Sequence, residues 1–130
     1  MTEVLNNHLP ESALDLALKW WNELDFQLKI AKGRKSKLGD FRPAHKGNPP
    51  RISVNGDLGP FHFLITYTHE VAHAFTWEKY GRKAKAHGIE WQYIYGELLK
   101  ELLELDIFPE EIKSEIIRHS NKPKASSCSD

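Results

Sequence analysis

Two histidines four residues apart, His69 and His73, flank a glutamate in the segment HEVAH. On an α-helix residues at i and i+4 share a face, with Cβ atoms ~5–6 Å apart, so the two imidazoles can close on one cation. Glu70 is offset by one position, which puts its carboxylate beside the open side of such a metal, where it can hold a water and take its proton. That is the chemistry of metal-assisted hydrolysis. A zinc site that keeps one position open for water needs a third protein ligand, whereas four protein ligands would make it structural. The chain offers His62, His87, His119 and nearby carboxylates. His62 precedes His69 by seven residues, about two helical turns and roughly 10 Å along the axis, too far to reach the same ion. His87 is better placed, because the chain turns at Gly81 and returns, and Gly88 is expected to permit a sharp reversal beside the ligand. The separation from His73 is longer than in the compact HExxHxxGxxH arrangement, which disfavours that subclass.

The plain alternative is that His69, Glu70 and His73 form the polar face of an ordinary helix. Against it, Leu64, Thr68, Val71, Ala72 and Phe75 make a core stripe expected on the opposite side, so that the histidines face a cleft. Tyr67, Tyr80, Tyr93, Tyr95 and His119 could each stabilise an oxyanion, and the sequence assigns that role to none of them.

These side chains need elements to position them. Pro10 and Glu11 suit the first turn of a helix with Leu14, Ala17, Leu18 and Trp21 on its inner face. Phe26, Leu28 and Ile30 then alternate with polar residues, as in a half-buried strand. Leu38 to Arg42 and Arg51 to Asn55 read as two more strands, separated by the breaker-rich PAHKGNPP, with antiparallel pairing expected between neighbours. Pro60 opens the helix that carries HEVAH and runs to Tyr80. Trp91, Ile94, Tyr95, Leu98, Leu102 and Leu105 form the stripe of another helix, and Pro109, Glu110 and Glu111 open a last one. The expectation is an α+β domain over residues 1–120, a small three-stranded, mostly antiparallel sheet packed on the active-site helix, with a polar, flexible tail over 121–130.

A chain of 130 residues has room for one domain and a real core. Its 18 Lys and Arg balance 18 Asp and Glu, so no global field draws it to an acidic polymer or a lipid surface. The N-terminus has no signal-like apolar run and no window has the length of a membrane span, so the expected setting is cytoplasmic, with no membrane partner. The single Cys128 lies in the polar tail and reads as an exposed bystander in a reducing compartment.

HEVAH followed after a short loop by AHGIEWQ, with the strands KLGDFR and RISVNGDL ahead of it, resembles the SprT-like metallopeptidase family, which includes the Spartan proteases. The resemblance runs from Asp25 to Leu105. It implies a minimal zincin-like fold, zinc as cofactor held by His69, His73 and His87, and Glu70 as catalytic acid/base. Glu90 and Trp91 match the family's HGxEW segment, which implies core packing for Trp91 and a supporting hydrogen bond to a ligand imidazole from Glu90. Leu38-Gly39 matches the strand near the cleft, where a glycine permits close backbone approach. Many relatives carry a Cys-rich zinc ribbon after this region, and a chain with one Cys holds none; either the module is lacking here or residues 121–130 mark a truncation point before it.

Proteases of the family act on proteins associated with or crosslinked to DNA. The resemblance therefore implies protein substrates and raises DNA as a second partner. Two basic clusters are candidates for contacting it: Lys29, Lys32, Arg34, Lys35 and Lys37, then Lys79, Arg82, Lys83 and Lys85 beside the third ligand. The competing classes are a catalytically silent, zinc-stabilised DNA- or protein-binding module and a zinc hydrolase of non-peptide bonds.

Overall fold

Pro60 stands at the start of the longest helix, where its missing N–H would have no helical partner in any case. Gly81 ends that helix with φ +62, a left-handed value that glycine adopts without a Cβ clash. The computed structural model describes residues 1–122 of the chain. A short helix α1 (Thr2–Asn6) leads through a 3-10 turn (Glu11–Ala13) into α2 (Leu14–Leu24). Strands β1 (Gln27–Ala31), β2 (Gly39–Arg42) and β3 (Arg51–Asn55) follow, then α3 (Pro60–Tyr80), α4 (Ile89–Leu103) and α5 (Glu110–Asn121). The class is α+β, and the expected bounds of α3 and β3 are met at both ends.

Strand pairing departs from the expectation of antiparallel neighbours. The sheet order is β1-β3-β2; β2 pairs antiparallel with β3, but β1 pairs parallel with it, Leu28 opposite Ile52 and Ile30 opposite Val54. The reason lies in burial. Ile52 and Val54 are fully covered, and Ser53 and Asn55 on the other face are buried as well, so β3 belongs in the centre of the sheet. Asn55 closes the far face: its amide donates to the carbonyls of Arg34 and Lys37 and accepts from Arg34 Nε at 2.7 Å. The stretch between β1 and β3 is long enough for the crossover that a parallel pair requires, and β2 lies within it.

The core is one cluster running from Leu5 and Trp20 through Phe63 and Tyr67 to Trp91, Tyr95 and Leu102. In α2 the buried residues are Ala17, Trp20 and Leu24; Leu14, Leu18 and Trp21 are only half-buried, so the inner face is rotated by about one position from the expected one. Trp21 is held at the margin, where its indole N–H donates to the Phe26 carbonyl at 2.6 Å. No apolar stripe on the opposite side defines α3 alone, because β2, β3 and α4 all pack on it and both its faces are covered; Phe75 of the expected stripe is half-buried. Among the described residues no helix is long and apolar enough to cross a membrane. Of the expected tail over 121–130, Asn121 still belongs to the last helix and Lys122 caps it, and residues 123–130, with Cys128, lie outside the described residues.

Tyr67 ties α3 to α2, its hydroxyl donating to the Ala17 carbonyl at 2.9 Å. Burial pushes this phenol far above its ordinary range, so it stays protonated and serves packing, not proton transfer. Tyr67→Phe is expected to lower unfolding free energy by about 1 kcal/mol in urea denaturation, the usual net worth of one buried hydrogen bond.

Candidate metal centre

His69 and His73 occupy successive turns of α3, their ring centroids 5.1 Å apart. His87, on the segment that returns from α3 to α4, brings its ring to 5.2 Å from His69 and 4.7 Å from His73. The nitrogens converge: His87 Nε2 lies 3.0 Å from His73 Nε2 and 3.2 Å from His69 Nε2. An imidazole nitrogen has a single in-plane site, as donor or as acceptor, so one ordinary hydrogen bond accounts for only one of those two contacts. Three nitrogens bound tetrahedrally at ~2.0–2.1 Å from one zinc would stand about 3.3 Å apart, close to both distances. All three ligand atoms lie within 4.8 Å of one another, so His69, His73 and His87 are close enough to hold a metal ion.

His87 reaches this position through its own backbone. Its φ is +61, in the left-handed region that residues with a Cβ seldom occupy. The expected reversal at Gly88 is thus placed one residue too late: Gly88 has φ −76, open to any residue. Gly88 is constrained by space instead, since a Cβ there would meet the Lys85 carbonyl oxygen at 3.0 Å. Strain of order 1–3 kcal/mol at such a residue must be held by its surroundings. The Gln92 amide does part of this by donating to the His87 carbonyl at 2.9 Å.

Trp91 is the common wall. Its ring centroid lies 4.8 Å from His69, 5.2 Å from His73 and 4.7 Å from His87, and its indole N–H points at the His69 carbonyl at 3.4 Å. Tyr95 stacks on Trp91 at 4.8 Å and meets the His69 ring edge-on at 5.4 Å. One fully buried indole therefore fixes all three imidazoles. His69 is buried completely, whereas His73 and His87 remain half-exposed, so the centre opens on their side.

Glu70 is fully buried next to His69, with its carboxylate against β2. A Cβ on Gly39 would stand 2.8 Å from Glu70 Oε2 and 2.9 Å from Thr66 Cγ2, so only glycine allows the strand this close to the carboxylate. Gly39→Ala is expected to cost about 1–3 kcal/mol of stability through overpacking. Equal urea midpoints for the two proteins would mean that the carboxylate yields freely.

The chain matches no family model, no curated protein and no solved structure. Of the other candidate residues, Glu90 sits half-buried in the first turn of α4, and the residue seen to hold His87 is Gln92. His62 and His119 line a separate apolar cleft of about 460 Å³ between α3, α4 and α5. Tyr80 and Tyr93 are exposed. Of the first basic cluster, Arg34 is committed to Asn55 and Lys37 to Asp40 at 3.4 Å. Lys79, Arg82, Lys83 and Lys85 are all exposed. Sequence reasoning missed Gln92 and the reach of Trp91; their only signal was position, five and four residues beyond His87 respectively, which puts both on the first turn of the helix behind that ligand.

Proposed function

We propose that this chain is a zinc-dependent peptidase of the SprT-like kind, with His69, His73 and His87 as ligands and Glu70 as general acid/base. One observation carries the reading: three imidazole nitrogens from two separate segments meet, and the residue after the first of them in α3, Glu70, is a fully buried carboxylate against the edge strand β2. The donor set of three imidazoles fits a hydrolytic zinc site, and a zinc ion bound there would supply a Lewis acid and a water acidified to near neutrality. The chain's own residues do the rest. The outer edge of β2 can pair with an extended peptide and align its carbonyl over the imidazoles. Glu70 accepts a proton from the attacking water as its oxygen bonds to the carbonyl carbon, and returns that proton to the departing amine nitrogen as the C–N bond breaks. Trp91 and Tyr95 close the inner side against bulk water.

Zinc-loaded protein incubated with reduced, unfolded casein should generate new N-termini, and a chelator should suppress them. Absence of fragments both with and without single-stranded DNA would end the peptidase reading.

The DNA-associated substrate class is supported by Lys79, Arg82, Lys83 and Lys85, four exposed cations at the end of α3 and on the segment that leads to His87. Replacing Arg82, Lys83 and Lys85 by Ala should weaken single-stranded DNA binding and flatten its dependence on salt, by ~0.7 in log–log slope for each phosphate no longer neutralised. An unchanged slope in fluorescence anisotropy would show that these loops are merely solvated.

A further inference from the structure

A groove of about 250 Å³ adjoins His73, walled by Phe41 and Pro43 from β2 and its exit, Trp77 from α3, and Ala84 and Ala86 from the segment leading to His87. Its size separates two kinds of occupant: clefts for free small ligands run to roughly 300–1,000 Å³, so this one suits a single large side chain. Its chemistry narrows the choice. The acid on its wall, Asp40, is already bridged at 3.4 Å by both Lys37 and Arg42, and the cation at its rim, Lys85, is exposed. A cationic guest would meet Lys85 without a free carboxylate to offset it, and an anionic one would lie against apolar walls.

Strand direction says which side chain this is. Gly39 abuts Glu70, whereas the Phe41 ring lies parallel to His73, centroids 6.4 Å apart at 10°. β2 therefore runs along α3 from Glu70 toward His73. A peptide pairing antiparallel with β2, the more stable arrangement, passes Phe41 and the groove first and reaches Glu70 afterwards. Resting on the peptidase reading above, we infer that this groove is the specificity pocket for the residue on the amino side of the scissile bond. It selects large apolar side chains, aromatic before aliphatic, over small or charged ones.

The test uses N-acetyl-phenylalanine hydroxamate and N-acetyl-alanine hydroxamate, in which the chelating group replaces the scissile amide and the side chain occupies the position in question. Binding to the zinc-loaded protein is read from tryptophan fluorescence, to which Trp77 in the groove wall contributes, so turnover is not required. The phenylalanine compound should bind about tenfold or more tightly, the scale on which apolar pockets discriminate. Ala84→Trp should bring the ratio close to one without changing zinc content. Equal affinities in the wild-type protein, or an undiminished ratio in the filled variant, would overturn the assignment. Should the variant not fold, the cleavage sites of wild-type protein in unfolded casein decide: Phe, Tyr, Trp and Leu should precede the new N-termini, and a random distribution overturns it. Cleavage without preference removes the pocket alone. Failure to take up zinc or to cleave at all removes both readings.

Discussion

Glu70→Gln should lower kcat for peptide hydrolysis by about 10²–10⁴-fold, the usual contribution of a positioned general acid/base, while zinc uptake stays as in the wild type. The substitution preserves shape. An amide of the same size still fits against Gly39, where the carboxylate oxygen would lie 2.8 Å from an added Cβ, so the contact between α3 and β2 survives. What disappears is the ability to accept a proton. Because that proton moves only as the bond is made and broken, kcat and kcat/KM should fall together and KM should change little. The comparison also separates the classes: a zinc-stabilised binding module would show the same DNA or protein affinity before and after the change. Wild-type turnover in the Gln variant would mean that another group takes the proton.

The parts of this centre that follow local rules were legible in the sequence. Pro60 and Gly81 bound α3 because each has one strong backbone preference, and the spacing of His69 and His73 then fixes their common face whatever surrounds the helix. His87 could be singled out by excluding His62 on distance and by the turn at Gly81. Its left-handed φ could not, because histidine's enrichment in that conformation is too weak to single out one residue. Its surroundings hold it through the contact of its ring with Trp91 and the Gln92 amide on its carbonyl, contacts that exist once the first turn of α4 has formed.

The sheet shows the same division. Period-two alternation marked β1 and β3 and the breaker-rich segment PAHKGNPP set β2 apart from β3, but neither signal encodes which neighbour a strand pairs with. Ser53 and Asn55 look like the wet side of a half-exposed strand. In the fold they are covered, Asn55 by backbone carbonyls of the segment between β1 and β2, and that puts β3 between the other two. The outer position of β2 in the sheet, on which the substrate reading depends, is a consequence of that pairing. Helix α1 leaves no mark on the sequence for a related reason: five residues are too few to show helical periodicity, and its hold on the core comes through Leu5.

Removal of the third imidazole should have the largest effect on metal binding. His87→Ala is expected to weaken zinc affinity by more than the ~10–100-fold that follows loss of a group merely supporting a ligand. The effect should also appear in stability. Zinc at 1,000 times its dissociation constant stabilises the folded chain by about 4.1 kcal/mol, so the wild-type midpoint should rise on the order of 10 °C with zinc and that of His87→Ala should barely move. A second variant separates the ligand from the strain. Ala at position 87 keeps the Cβ that makes φ +61 costly, whereas Gly removes it. Metal-free His87→Gly should therefore be more stable than metal-free His87→Ala by about 1 kcal/mol, although neither gains from zinc. Equal zinc-induced shifts in all three proteins would mean that the ion binds somewhere other than between these imidazoles. No shift in the wild type would mean that the imidazoles converge without holding one.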